Sequence, residues 1–306
     1  MAKGWRPLRE QVPVAAGRGA GGVAQSRRAR GITRALRRVF GRWLFYFSLL
    51  LVLLLFFLAV FGPVVVPYQP LKTDPAAQFL APSRAHWLGT DQYGRDIFAR
   101  LVHATRLDLM ISFSVVGLAL VAGSLLGAIS GFVGKAFDDV VMRVVDILQS
   151  FPAFILAMGL TAVLGNTIGN VILSIGVAYT PYFVRLTRGE MLKVRRLEYA
   201  DAARCVGASP WRTLYYHLLP NAITPSLVQA ALALGWAILD TAGLAFLGLG
   251  IRSPTAEWGV MVSDGAKNIL SVEWWTWLFP GLAIFIAVFG FNGIADTLRA
   301  RVTREE

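Results

Sequence analysis

LFYFSLLLVLLLFFLAVFGPVVV, residues 44–66, runs for 23 residues without a charge. A helix rises about 1.5 Å per residue and the hydrocarbon core of a bilayer is about 30 Å thick, so about 20 apolar residues cross it. A cleaved signal peptide has an apolar region of only about 7–15 residues followed by a small-x-small site. This stretch is longer and has no such site after it, so it is expected to stay in place as a span.

The residues ahead of the run include Arg27, Arg28, Arg30, Arg34, Arg37, Arg38 and Arg42, and Glu10 is the one acid before it. Directly before a span, such a basic arm keeps the N-terminus in the cytoplasm. Aromatic residues do not interleave with Arg27–Arg38 as a stacking platform for nucleic acid needs, so no nucleic-acid partner is expected.

Beyond the run, apolar stretches recur at about 43–66, 108–132, 143–165, 170–187, 223–249 and 274–296, which predicts six spans. Tyr179, Pro181 and Tyr182 interrupt the fourth. With the N-terminus inside, 133–142 and 188–222 fall in the cytoplasm, and 67–107 and 250–273 fall outside. Charge supports that order: Arg185, Arg188, Lys193, Arg195, Arg196, Arg204 and Arg212 outnumber Glu190, Glu198 and Asp201. The external 67–107 stretch is nearly balanced, and Arg299, Arg301 and Arg304 also fall inside.

The organisation read from this pattern is a basic cytoplasmic arm over 1–42, a first span over 43–66 and a periplasmic segment over 67–107. A five-helix core follows over 108–298, containing a cytoplasmic loop at 195–220 and a periplasmic loop at 250–273, with a cytoplasmic tail at 299–306. The expected fold is an all-α polytopic membrane protein.

Composition agrees: 56% of the 306 residues are hydrophobic and 16% charged, against about 25% charged in soluble domains. A soluble enzyme is excluded on that ground. Cys205 is the only cysteine, and His86, His103 and His217 are scattered, so neither a disulfide nor a metal-ligand spacing is present. There is no G-x-x-x-x-G-K-[ST] phosphate loop, since Gly134-Lys135 is followed by Ala136. No catalytic residue, metal or cofactor is expected in this chain, and energy for work across the membrane has to come from elsewhere.

Gly123, Gly127 and Gly131 recur every four residues on one side of the second span. They read as a close-packing seam, with a flexible gate as the alternative. No internal repeat supports an inverted-repeat carrier.

The most informative loop is EYADAARCVGASPWRTLYYHLLPN, Glu198–Asn221. It predicts a short helix ending at Gly207 and a second one capped by Ser209, opened by Pro210 and stopped by Pro220. Ala200, Ala203 and Gly207 lie at i, i+3 and i+7, giving one small, flat face that another surface can approach closely. Glu198, Asp201, Arg195 and Arg204 flank that face. A DNA-binding helix pair is disfavoured because spans pin both ends of the loop. A plain structural loop stays open on residue types alone.

This loop resembles the E-A-A–x3–G–x9–I-x-L-P loop of permeases in ATP-binding-cassette importers: Asp201, Ala202, Ala203 and Gly207 match, then His217, Leu218, Leu219 and Pro220. Asp stands for Glu, and His for Ile. HWLGTDQYGRDIFARL (86–101) and FLGLGIRSPTAEWGVMVSDG (246–265) resemble segments of the second permease of dipeptide, oligopeptide and nickel importers. The likeness covers about residues 40–300.

It implies a type I importer permease fold, with a coupling helix over Glu198–Gly207 seated in an ATPase. The candidate coupling residues are Glu198, Ala200, Asp201, Ala202, Ala203, Arg204, Gly207, Ala208 and Ser209. It also implies a homologous permease partner, two ATPase subunits that bind ATP and Mg, and a periplasmic binding protein that delivers peptide or a related solute. A gradient-driven carrier or channel, and a membrane-embedded enzyme, are the rival readings.

Acids in apolar runs are costly and default to functional candidates. Asp240, with Trp236 and Gln229, is a translocation-path candidate or a helix-bonding group, and it stands where the family usually has Glu. Asp146 reads as a structural or interface residue. Gly89–Asp96 reads as an Asp–Arg network in preference to a calcium loop, which needs six to eight ligands.

Overall fold

The computed structural model describes residues 43–64, 66–270 and 272–305. The basic arm expected over 1–42 lies outside the described residues. The chain divides into two compact units, Met1–Leu44 and Phe45–Glu306, and the rest of the description concerns the second. It is helical, and an isolated bridge between Thr90 and Asp96 is the one β-type pairing among the described residues.

The helices are α1 (Trp43–Val64), α2 (Ile97–Val133), α3 (Lys135–Gln149), α4 (Ala153–Leu164) and α5 (Ile168–Val194). The loop contributes α6 (Glu198–Cys205), α7 (Pro210–Arg212), a π-helical turn (Thr213–Leu218) and α8 (Leu219–Ala222). After them come α9 (Thr224–Phe246), α10 (Trp258–Ala266) and α11 (Trp275–Glu305).

α1 buries a stripe of Ser48, Val52, Leu55, Ala59 and Gly62, spaced as one side of a helix. Leu50, Leu53, Leu54, Phe57 and Phe61 point outward. A face that apolar needs lipid around it. Val52 fits the gap left by Gly290 of α11, where an added Cβ would meet Val52 Cγ2 at 3.0 Å.

Among the described residues, four helices are long and apolar enough to cross a membrane: α1, α2, α9 and Trp275–Ala300 of α11. α3 and α4 qualify only together, bent by 88° across Ser150–Pro152. The span expected over 143–165 is thus broken at Ser150–Pro152 and not one continuous helix. Pro152 has no N–H to continue the helix and disfavours a helical Phe151.

α5 has the length to cross, and Pro181 lies inside it without breaking it. Its polar residues leave it less apolar than the four.

α2 starts at Ile97, well before the expected residue 108, because charges concealed its first turns. Two of those charges, Arg100 and Asp108, are buried and hydrogen-bonded. Arg100 donates to the carbonyls of Pro70, Pro254 and Thr255, each at 3.3 Å. Asp96 caps the helix by accepting from the Ala99 amide at 2.7 Å.

α2 forms the centre of the unit and packs most extensively on α5. The glycines are the seam between them. A Cβ on Gly123 would meet Phe183 Cβ at 2.6 Å, and one on Gly131 would meet Met191 Cβ at 2.9 Å. Beside the seam, Thr187 shares hydrogen bonds with Ser124 at 3.1 Å and Ser226 at 2.7 Å, joining α5 to α2 and α9. Buried hydroxyls of this kind hold helices together where lipid supplies no hydrophobic drive.

Candidate functional site

The loop at 195–222 folds back on the helices that lead into it. Leu214 and Leu218 are buried against Ala128, Met191, Ala200 and Ala222. Arg195 donates to the Gly131 carbonyl at 2.6 Å, and Arg188 grips both oxygens of Asp138 at 2.5 Å. The loop is thus fastened to α2 and α5, and Arg188 ties α5 to α3.

The first short helix forms as expected and ends at Gly207, whose φ of 80° is the left-handed conformation glycine tolerates. Ser209 caps the next helix through the Arg212 amide at 3.3 Å. Pro220, expected to stop that helix, sits instead at the start of α8. A proline ring clashes with the carbonyl four residues back. Here Leu219 bonds five residues back to Leu214, and the widened π turn makes room for the ring.

The small face also points the other way from the expectation. Ala200 and Ala203 turn inward, and the surface that approaches them is the chain's own Leu214 and Leu218. Outward lie Glu198, Asp201, Ala202, Arg204, Gly207 and Ser209, with Ala208 half-buried. Asp201 and Arg204 pair at 3.0 Å on this surface. Trp211 of α7 and Tyr215 and Tyr216 of the π turn are also exposed, with Trp211 and Tyr215 stacked at 6.0 Å. The helical spacing of Trp211, Leu214, Tyr215 and Leu218 does not by itself show the π turn.

The three path candidates come together. Gln229, Trp236 and Asp240 line one cavity of about 580 Å³, with Tyr179 and Tyr182 of α5 and Phe154 of α4. Ligand pockets run from about 300 to 1,000 Å³. The Tyr179 hydroxyl donates to Asp240 Oδ2 at 2.8 Å. A second cavity of about 360 Å³ lies further along α9, lined by Gly243, Phe246 and Gly259. Asp240 and Phe154 border both. The Phe154 ring rests on Gly243, where a Cβ would come within 3.0 Å of it. Tyr179 and Phe154 were not singled out as path residues, since they reach the cavity from other helices.

Asp146 pairs with Arg185 on the surface at 2.7 Å and lies away from this cavity. The 86–101 stretch forms the expected Asp–Arg network. Asp91 accepts from Arg95 Nε at 2.6 Å, and Asp264 of α10 faces the same buried guanidinium at 3.7 Å. Glu257 caps α10 through the Val260 amide at 2.6 Å and lies within hydrogen-bonding reach of Asp108. Burial pushes the Glu257 carboxyl above its usual range.

A bundle of apolar helices around a cavity, with a helical elbow fastened to its base, is the membrane-embedded part of a transporter. Residues 123–304 match the profile of the binding-protein-dependent transport system inner membrane component, and the chain belongs to that family. Residues 32–82 match the N-terminal TM domain of oligopeptide transport permease C. The chain is 41% identical over 252 residues to the probable D,D-dipeptide transport system permease protein DdpC of Escherichia coli K12, covering 82% of this chain and 84% of that one.

It is 41% identical to the dipeptide transport system permease protein DppC of Alkalihalophilus pseudofirmus, covering 79% of each chain. With the nickel transport system permease protein NikC of E. coli K12 it shares 38% identity, over 84% and 93% of the two chains. A solved amino acid ABC transporter with histidines aligns at a TM-score of 0.49 and 13% identity, over 66% of this chain and 94% of that one. The family assignment rests on the sequence matches. The chain is a multi-pass permease subunit of an ABC-type import system.

Proposed function

We propose that this permease forms half of the translocation path for a peptide or a related small solute, such as a dipeptide, an oligopeptide or a nickel chelate. A periplasmic binding protein delivers the solute, and a similar but non-identical permease supplies the other half. Two partner ATPases bind ATP and Mg and do the hydrolysis. Both termini and the 195–222 loop face the cytoplasm, as the distribution of basic residues favours. The relatives' peptide and nickel systems support this choice of solute.

One observation carries the mechanism: the loop is fastened to α5 and leads directly into α9, two of the helices that line the cavity. A push on α6 by a closing ATPase tilts both helices and switches access to the cavity. The outward residues Glu198, Asp201, Ala202, Arg204, Gly207 and Ser209 receive the push, with half-buried Ala208 at the edge. Ala200 and Ala203 hold α6 against the π turn. Gly207→Asp and Asp201→Arg are each expected to abolish uptake while the complex still inserts and assembles. Normal uptake and normal solute-stimulated ATP hydrolysis in both variants would overturn the assignment. Transport by the purified chain alone, without ATP, would favour a gradient-driven carrier.

A further inference from the structure

Asp240 is the one acid on the wall of the larger cavity, and no Lys, Arg or His lines it among the described residues. We propose that Asp240 and Tyr179 form a subsite for a positively charged end of the solute, an ammonium group, at the junction of the two cavities. This rests on reading the cavity as the path.

Tyr179 donates to Asp240 Oδ2, which fixes the carboxyl group on the cavity wall and leaves Oδ1 without a hydrogen bond from the described residues. Aromatic rings complete the surroundings: Trp236, Tyr182, Phe151 and Phe154. The faces of such rings attract cations and are most effective when water is excluded. An ammonium group thus meets a charge-assisted acceptor and ring faces together. A carboxylate at the same place meets a like charge and finds no basic side chain on the wall to answer it.

Position adds to the chemistry. From Gln229 to Asp240 α9 rises about 16 Å, so the acid sits deep in the helix, where an ionisable group is costly to keep. Because Asp240 and Phe154 border both cavities, a solute moving from one to the other passes the subsite. Recognition there acts after delivery, as a second test of charge.

The test uses the complete transporter in the Cys205→Ser background, which removes the only cysteine. Gln229→Cys then reports on the cavity through its labelling rate with a water-soluble maleimide. Two probes are compared: alanyl-alaninamide, which carries one ammonium, and N-acetylalanyl-alaninamide, which carries none. The amide is expected to slow labelling about tenfold, the effect of about 1.4 kcal/mol, at a concentration where the acetylated form does nothing.

Asp240→Asn should erase that difference without changing the rate in the absence of peptide, and Asp240→Glu should keep it. Equal protection by both probes, or discrimination that survives Asp240→Asn, overturns the subsite. If Asp240→Asn fails to assemble, Tyr179→Phe takes its place; discrimination should then fall about threefold, and unchanged discrimination overturns the subsite. If Gln229→Cys is not labelled with or without nucleotide, the path reading fails first, and the subsite with it.

Discussion

The two ends of the helical body are held by opposite means. At the end carrying α6–α8, the packing of the loop is mainly apolar and small, with Ala200, Leu214, Leu218 and Met191 closing on one another; the outward pair Asp201–Arg204 is exposed, and the charged bonds there are those of Arg188 and Arg195. At the other end, the 86–101 stretch and α10 are joined by buried charge, with Arg95 and Arg100 almost fully covered and aimed at Asp91, Asp264 and backbone carbonyls. Apolar surfaces slide and repack at modest cost, whereas a buried ion has to keep its partner. The loop end is suited to motion and the other end to holding register.

Breaking the charged end should have the largest effect. Arg95→Ala removes the buried cation that faces both Asp91 and Asp264 and leaves them only Arg100 at 3.8 Å and Lys267 at 3.1 Å, and is expected to destabilise the protein by about 3–5 kcal/mol. Leu214→Ala at the loop end should cost about 2–5 kcal/mol through its cavity. Thermal unfolding in detergent at low and high salt measures both, and the charged end should be the one that responds to salt and pH. If Leu214→Ala is the more salt-sensitive of the two, the contrast is wrong.

A middle-sized effect concerns Glu257. Its carboxyl, raised by burial, favours the proton in the folded state. The stability it contributes is fully present below the unfolded value of about 4.3 and is lost as pH rises through the raised folded value. Glu257→Gln keeps an acceptor for the Val260 amide and should flatten that decline. An unchanged slope of melting temperature against pH would count against it. The smallest effect is expected from Gly207→Ala. A Cβ there meets no atom within 4 Å, so only the left-handed backbone resists it, at about 1 kcal/mol. A loss beyond about 2 kcal/mol would mean that more than backbone strain is at stake.

The contrast also explains what could be read from the sequence. α1 was plain because a helix surrounded by lipid shows its apolar run without interruption. Gln229, Trp236 and Asp240 were legible because spacings of seven and four bring them to one side of α9. The first turns of α2 were not, since Arg100, His103 and Asp108 look like loop residues until their distant partners are known. Arg100 bonds carbonyls more than 150 positions away. The inward turn of Ala200 and Ala203 was hidden for a related reason: a small face is equally suited to a partner and to the chain itself. The direction was decided by a π turn that regular spacing cannot announce.

The short helix α4 has a consequence for the membrane around it. Its 12 residues rise about 18 Å, against a hydrocarbon layer of about 30 Å. Lipid tails beside such a stub must shorten or tilt, and each ångström of mismatch adds a fraction of a kcal/mol. A dent in the bilayer forms there, unless the flank of a neighbouring protein fills it.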